Sequence, residues 1–328
     1  MSYFTYLSIA KSLTKAKFFG KNAPLAVSWA VTYRCNLRCK YCSLWSQPSK
    51  ELSTEQIFTI LDEIGKTDVQ WISFTGGEPL LRNDIGDIIN YAKSKGIFVN
   101  LNTNAILIAE KLDAIENADS VQISLDAEQN INDLARGKGA YQAAHNALSL
   151  LRNKNVRIKI QTVLSKHNLD NLDFIFEFLK KFQLPIIFQP ATTKLLGSEQ
   201  ANPSVPEAGK YFRAVNKTIR KKQEGYYISN SLSGLRHLRC YPNDKKIACL
   251  AGLINCDIKP DGTMLACARY PASQKKIDLL QVGFIKGFNA LEAVSCKQCW
   301  CASQVELNLI SSFNLRAVLN FVNNNYSK

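Results

Sequence analysis

No apolar run in this chain of 328 residues is long enough to span a bilayer, and no signal peptide opens it, because lysines break up the apolar N-terminal stretch. A secreted or membrane-spanning protein is therefore not expected, and a cytoplasmic one is. The net charge is +14, yet it is not gathered into a nucleic-acid-like tail, and no RNA-binding motif is legible. A disulfide framework running end to end is also missing. Of ten cysteines, three lie between residues 35 and 42 and seven between residues 240 and 301. Thiols clustered in this way in an enzyme-sized chain read as metal ligands rather than staples, and they survive in a reducing compartment.

What is present begins with the charge. Lys11, Lys15, Lys17 and Lys21 stand among Phe4, Leu7, Leu13, Phe18 and Phe19. Residues 1–25 are expected to form a basic and partly apolar helix. It either caps the open bottom of a barrel with its lysines solvated or rests peripherally on a membrane. A positive field also draws anionic partners: a phosphate-bearing metabolite, an acidic peptide or a lipid headgroup.

From residue 26 to residue 191 strand and helix alternate six times. Strand-like runs fall at Ala26–Thr32, Trp71–Thr75, Phe98–Thr103, Ser120–Leu125, Arg157–Leu164 and Pro185–Gln189. Ser53-Thr54-Glu55-Gln56 is a capping-box pattern ahead of Ile57, Ile60, Leu61 and Ile64 at helical spacing. Asp84 precedes a second stripe, Ile85, Ile88, Ile89 and Ala92, and helices also fit 106–117, 140–153 and 169–182. Repeated βα units with right-handed crossovers build a parallel sheet that curls toward a barrel, whose site gathers at the strands' C-terminal ends.

The motifs sit at those ends. The first strand runs into Cys35, Cys39 and Cys42, a C-x3-C-x2-C loop, and the second ends in Gly76-Gly77-Glu78-Pro79. Three thiolates on one tight loop can hold three irons of a [4Fe–4S] cube and leave the fourth open to a small molecule. Together the two motifs resemble the radical S-adenosylmethionine (radical SAM) superfamily. The resemblance implies an α/β fold, a partial (β/α)6 radical SAM barrel. It also implies that SAM chelates the open iron, is cleaved reductively to a 5′-deoxyadenosyl radical and so abstracts a substrate hydrogen. A flavodoxin- or ferredoxin-type electron donor belongs to that expectation.

Further residues are carried over from the resemblance. Tyr41 is the aromatic before the third cysteine, with its backbone toward the adenine. Gly76, Gly77 and Glu78 suit the methionyl ammonium. Asn102 ends the third strand, and Ser124 and Asp126 end the fourth, where ribose and methionyl contacts fall; each also suits a turn or helix cap. Arg136, on an Arg-Gly-Lys-Gly loop, resembles the basic residue near the SAM carboxylate, and Val163 and Ser165 lie where the adenine is met through backbone.

Residues 192–239 read as a connector with a basic helical stretch ending near Lys222. Beyond it, Pro260-Asp261-Gly262 marks a hairpin that returns Cys267 toward Cys249, and Cys296, Cys299 and Cys301 follow. This layout resembles the SPASM or twitch extension of radical SAM enzymes. The resemblance assigns Cys249, Cys267, Cys296 and Cys299 to one auxiliary [4Fe–4S] cluster, with Cys301 as the alternative to Cys299. Two clusters are thus expected, on a module spanning 240–305, followed by a C-terminal helix over 306–328. Cys240 and Cys256 are surplus: small buried hydrophobes, or one of them a hydrogen-atom donor. Four cysteines also suit tetrahedral zinc. A non-catalytic Fe–S or zinc scaffold or electron carrier is the other function class.

The substrate is open at this stage. A nucleotide- or phosphate-linked sugar, a lipid intermediate and a peptide all fit the positive charge. No leader-binding domain is legible before residue 26, and the chain ends Asn325-Tyr326-Ser327-Lys328 without the terminal Gly-Gly of the molybdopterin-precursor cyclases, which makes that reaction unexpected.

Overall fold

The computed structural model describes residues 3–48, 50–243, 245–269, 274–294, 296 and 298–326. Residues 1–2 and 327–328, at the ends of the two terminal helices expected from the sequence, lie outside the described residues. Six parallel strands follow the expected order: β1 (Ala26–Thr32), β2 (Trp71–Gly76), β3 (Phe98–Thr103), β4 (Ser120–Ser124), β5 (Arg157–Leu164) and β6 (Ile186–Pro190). Their outward side chains meet α2 (Thr54–Ile64), α3 (Ile85–Ser94), α4 (Leu112–Ile115), α5 (Gln129–Arg136), α6 (Ala140–Leu151) and α7 (Leu172–Phe182). Helix α2 starts where the sequence places it, because Ser53 accepts from the Gln56 amide and Gln56 reaches back to the Ser53 amide. Its stripe Ile57, Ile60, Leu61 and Ile64 is buried, as is the stripe Ile85, Ile88, Ile89 and Ala92 of α3. Each such isoleucine contributes roughly 1.5–3 kcal/mol by leaving water.

Two helical expectations change. The helix read over 106–117 is one turn, α4, preceded by turns. Ala105 takes a left-handed φ of 71°, and the Asn104 side chain captures the Ile106 amide at 3.0 Å, so the helix cannot begin there. Helix α5 was not legible, because the residues it buries are Asn132, Ala135 and Arg136 rather than an apolar stripe. Arg136 is therefore at a helix C-terminus and not on an open loop.

Beyond β6 the chain forms α8 (Ala208–Gln223) and α9 (Leu232–Leu238), then the hairpin β7 (Asn255–Ile258) and β8 (Thr263–Leu265), with β9 (Ile277–Asp278) beside it. Strand β7 pairs in parallel with β1, Ala26 opposite Asn255 and Trp29 opposite Ile258. The described strands thus form one nine-stranded sheet in the order β6-β5-β4-β3-β2-β1-β7-β8-β9. The cysteine-rich module extends the barrel wall instead of standing apart from it. Helices α10 (Leu279–Val282) and α11 (Phe284–Asn289) cover the hairpin, and α11 also packs against α2. The single C-terminal helix expected over 306–328 is two, α12 (Ala302–Ser311) and α13 (Leu315–Tyr326), broken at Phe313 with a φ of 55°.

Helix α1 (Tyr3–Phe19) buries Ile9, Leu13 and Ala16 against Leu25, Ile254, Ile310 and Ala317, with Trp71 at the start of β2 alongside. It caps that end of the barrel, as one of its two expected roles required. At the lateral gap, Leu238 of α9, Ile247, and Ala302 and Val305 of α12 pack with Ile187 of β6, Cys299 and Trp300. The gap is closed by α9 from the connector, by Ile247, Cys299 and Trp300 of the cysteine-rich module, and by α12.

Candidate functional site

The loop carrying the first three cysteines is fixed at its root by the glycines after β2. The Gly77 amide donates to Thr32 O and the Glu78 amide to Arg34 O, both at 2.8 Å. The backbones approach so closely that a Cβ on Gly76 would stand 2.0 Å from Thr32 O, and one on Gly77 2.2 Å from Arg34 O. Gly76 also needs its φ of 134°, which only glycine tolerates readily. On the outer side of the root, Glu51 receives Nε and Nη2 of Arg34 and the hydroxyl of Thr32. Arg82, almost fully buried, joins Glu51 to Asp84 and donates to Leu52 O. Neither Glu51 nor Arg82 carried any sequence signal for this role.

Glu78 faces inward. Its carboxylate is fully buried and accepts from the Leu80 amide, the Thr103 hydroxyl and the Asn104 amide. Burial raises its pKa to about 7 against those bonds. It fastens the end of β2 to the end of β3, so its own oxygens are already engaged. Asn104 carries that connection to the cysteines. Its Nδ2 donates to Asn36 Oδ1 at 2.7 Å and lies 3.9 Å from Cys35 Sγ. Asn104 is a residue that the sequence placed only beside Asn102. Asn102 itself faces the barrel interior and accepts from Asn100, and Ser124, half-buried, lies opposite Gln161 of β5.

On the other side of the loop four expected residues meet. The Tyr41 hydroxyl donates to Asp126 Oδ2 at 2.7 Å, and Arg136 Nη2 donates to Asp126 Oδ1 at 2.9 Å. Arg136 Nε stands 2.8 Å from Oδ2, though misaligned for a hydrogen bond. The Val163 amide also donates to Oδ1. Asp126 and Arg136 are both buried. Burial works against the guanidinium's charge, but Asp126, Tyr41 and Cys39 more than offset it and hold its pKa above the ordinary value. Arg136 is thus paired with Asp126 through Nη2 and Nε. The Lys40 amide donates to Ala135 O, so α5 holds the cysteine loop directly. Ser165 is buried nearby, its amide bonded to Asn168 Oδ1.

The connector contributes where the sequence showed no chemistry. The Leu196 amide donates to Tyr41 O, and the Ser43 amide donates to Leu196 O, so Leu196 pairs with the third cysteine, Cys42.

The three thiols of the loop stand near enough to act on one another. Burial first, then Cys42 and Cys35, raise the Cys39 pKa to about 12, while Arg136 opposes the rise. Cys35 and Cys42 are pushed up by burial as well. Soft thiols on a loop fixed from both sides, costly to ionise without a bound cation, fit iron–sulfur ligation.

A second group forms in the module. Burial raises Cys267 to about 12 and drives Cys299 up, and Cys249, Cys267 and Cys299 each feel Cys301. Cys301 thus acts alongside Cys299 in this group, and Cys296 acts on Cys249. His237 bonds Cys299 O at 2.9 Å and lies against Trp300, tying the group to α9. Among the described residues no three His, Cys, Asp or Glu side chains converge as one metal ion would require. Neither surplus cysteine belongs to either group. Cys256 is fully buried in the core on β7, and Cys240 lies beside Arg236 and Tyr211. The burial of Cys256 removes it as a hydrogen donor to a substrate.

Asp257 and Arg269 lie near Cys267. Asp257, on β7 opposite Ser28, accepts from the Ala268 amide at 2.6 Å. Arg269 acts on Cys42 and is itself acted on by Cys301, Cys267 and Cys299. Neither residue stood out in the sequence.

A model of the Radical SAM superfamily matches residues 29–179. The mycofactocin maturase MftC of Mycolicibacterium smegmatis is 39% identical over 162 residues, 47% of this chain and 41% of that protein. The Fe-coproporphyrin III synthase of Methanosarcina barkeri is 32% identical over 177 residues, 52% of this chain and 44% of that one. Both matches span less than half of the relative's length. Streptococcus suis SuiB bound to S-adenosylmethionine shares the fold at a TM-score of 0.66 and 17% identity, covering 87% of this chain and 70% of its own. So does anSMEcpe with bound AdoMet, at 0.65 and 17%, covering 82% and 81%.

Proposed function

We propose, from the premise that this chain belongs to the radical SAM superfamily, that it is an enzyme cleaving S-adenosylmethionine at a [4Fe–4S] cluster on Cys35, Cys39 and Cys42. When bound, cluster and SAM together supply a 5′-deoxyadenosyl radical that removes a substrate hydrogen. The observation that carries this reading is the loop itself: three mutually acting thiols whose backbone is gripped by Gly77, Glu78 and Ala135. The protein's part is to hold those thiols still and to leave room above them. Gly76 and Gly77 bring the second strand end against the loop, and Asp126 keeps Tyr41 and Arg136 from wandering into the site.

An auxiliary cluster is held by the module's thiols, four from Cys249, Cys267, Cys296, Cys299 and Cys301. That Cys301 acts on each of Cys249, Cys267 and Cys299 supports the set that includes it. A flavodoxin- or ferredoxin-type protein supplies the electron. The substrate carries an anionic group, as a metabolite, a lipid or a peptide, which Arg269 receives. SuiB has been crystallised with its precursor peptide SuiA, which keeps a peptide in that class.

Reconstituted protein reduced with dithionite is expected to release 5′-deoxyadenosine and to hold about eight irons per chain, two cubes of four. Cys39→Ala should abolish release and leave about four irons. Release at the wild-type rate from that variant overturns the assignment. Iron without any release from the intact protein favours the scaffold or electron carrier. Arg269→Ala should keep both iron and SAM cleavage while substrate turnover falls.

A further inference from the structure

The face shared by the end of α1 and the corner between α12 and α13 has no role in the chemistry above. Phe18 and Phe19 are 65% and 69% exposed, and Phe313, Leu315 and Leu319 are exposed beside the corner. The two elements are one surface, because the Phe18 and Phe313 rings stack with centroids 6.0 Å apart. Lys17 lies over both rings, its Nζ 4.5 Å from the centre of Phe313. Lys11, Lys15, Lys21 and Arg316 are exposed on the same two elements and the residues following them. No acid interrupts them: Glu51 is the first acidic residue of the chain and Glu306 the last.

These aromatics are not on a fraying end. The opposite side of α1 is buried with Ile310 and Ala317, and Asn320 and Asn324 anchor α13 through Ser229 O. The sequence even keeps a phenylalanine at 313 in a left-handed conformation, where glycine or asparagine is the usual choice after a helix.

We propose that this face docks the protein on an anionic lipid surface, the aromatics and leucines entering the headgroup boundary and the lysines meeting phosphates. The interleaving decides the occupant. Lysine is depleted from the cores of protein–protein interfaces, whereas alternating aromatic rings and long cationic stems suit a headgroup layer. No helix among the described residues is long and apolar enough to cross a membrane, so the contact is peripheral.

The test is co-sedimentation of the full chain with vesicles of phosphatidylcholine, with and without phosphatidylglycerol, at low and high salt. Binding to the anionic vesicles is expected to be at least about tenfold tighter and to weaken with salt. Two variant proteins, Lys11→Glu with Lys15→Glu, and Phe19→Ser with Phe313→Asn, should each lose most of it at unchanged melting temperature. The altered side chains are all exposed, and asparagine suits the backbone at 313. Equal binding to both vesicle types, or none, overturns the proposal. So does a concentration-dependent dimer that the second variant dissolves while vesicles stay unbound.

Discussion

Asp126 shows how much one side chain can determine. It takes three donors, from Tyr41, Arg136 and the Val163 amide, each from a different part of the chain. The sequence marked all four residues, but only as separate contacts to a ligand. Their mutual pairing was not legible, because nothing in local spacing reports that residue 41 and residue 136 meet over one carboxylate. Removing the charge leaves a buried guanidinium unpaired, which costs on the order of 3–5 kcal/mol. Asp126→Asn is therefore expected to lower the melting temperature markedly, and Asp126→Asn with Arg136→Met to recover part of the loss. A double variant no more stable than the single one would show that the pair is not coupled.

At the level of elements, what was legible followed apolar periodicity. Strands β1, β3 and β5 begin and end as expected, and α2 and α3 bury the expected stripes. What escaped was structure built on polar burial. Helix α5 hides Asn132 and Arg136, and α9 depends on Glu306. The Glu306 carboxylate reaches the Ser231 amide at the start of α9 through the space left by Gly234, where a Cβ would lie 1.9 Å from Oε1.

Burial raises Glu306 to about 7, although Ser231 and Lys222 act in the other direction. The folded protein then keeps a proton that the unfolded chain releases near its ordinary value of 4.5. Stability should fall as pH rises from that value to about 7, by up to about 1.4 kcal/mol per pH unit, and level off above. Glu306→Gln should flatten this decline in urea melts. Glu78, raised by burial to the same value, leaves a residual slope. An unchanged slope would mean that Glu306 is ionised in the fold. The glycine strand end makes a sharper case. Gly77→Ala must push apart two backbones already in contact. It should cost the first cluster its iron and leave about four irons in the module; about eight would show that the loop adapts.

At the scale of the whole molecule, the module does more than reach one side of the barrel: Ile247, Cys299 and Trp300 pack with α9 and α12 at the opening near β6, and its hairpin continues the barrel wall beyond β1. The sequence could not reveal this. Strand β7 is only four residues long, and parallel pairing between distant segments leaves no local trace. Both thiol groups are consequently mounted on one continuous frame. The loop after β1 carries the first, and the segments flanking β7 and β8 carry Cys249 and Cys267 of the second. A strain applied at either group is transmitted through backbone hydrogen bonds rather than across a hinge.

The same pairing sets a timetable for synthesis. Strand β1 gains β2 soon after it is made, but its other flank waits for a partner about 230 residues downstream. Until then the run Ala26–Thr32, apolar along most of its length, is an edge open to the wrong neighbours. A chain stopped at residue 239 is accordingly expected to pellet on expression. If it stays in solution and melts like the full chain, β7 is not needed to protect that edge. A nascent chain of this protein thus carries one flank of a central strand unpaired until β7 is made, so a translational pause before residue 255 prolongs its exposure to aggregation and to chaperones alike.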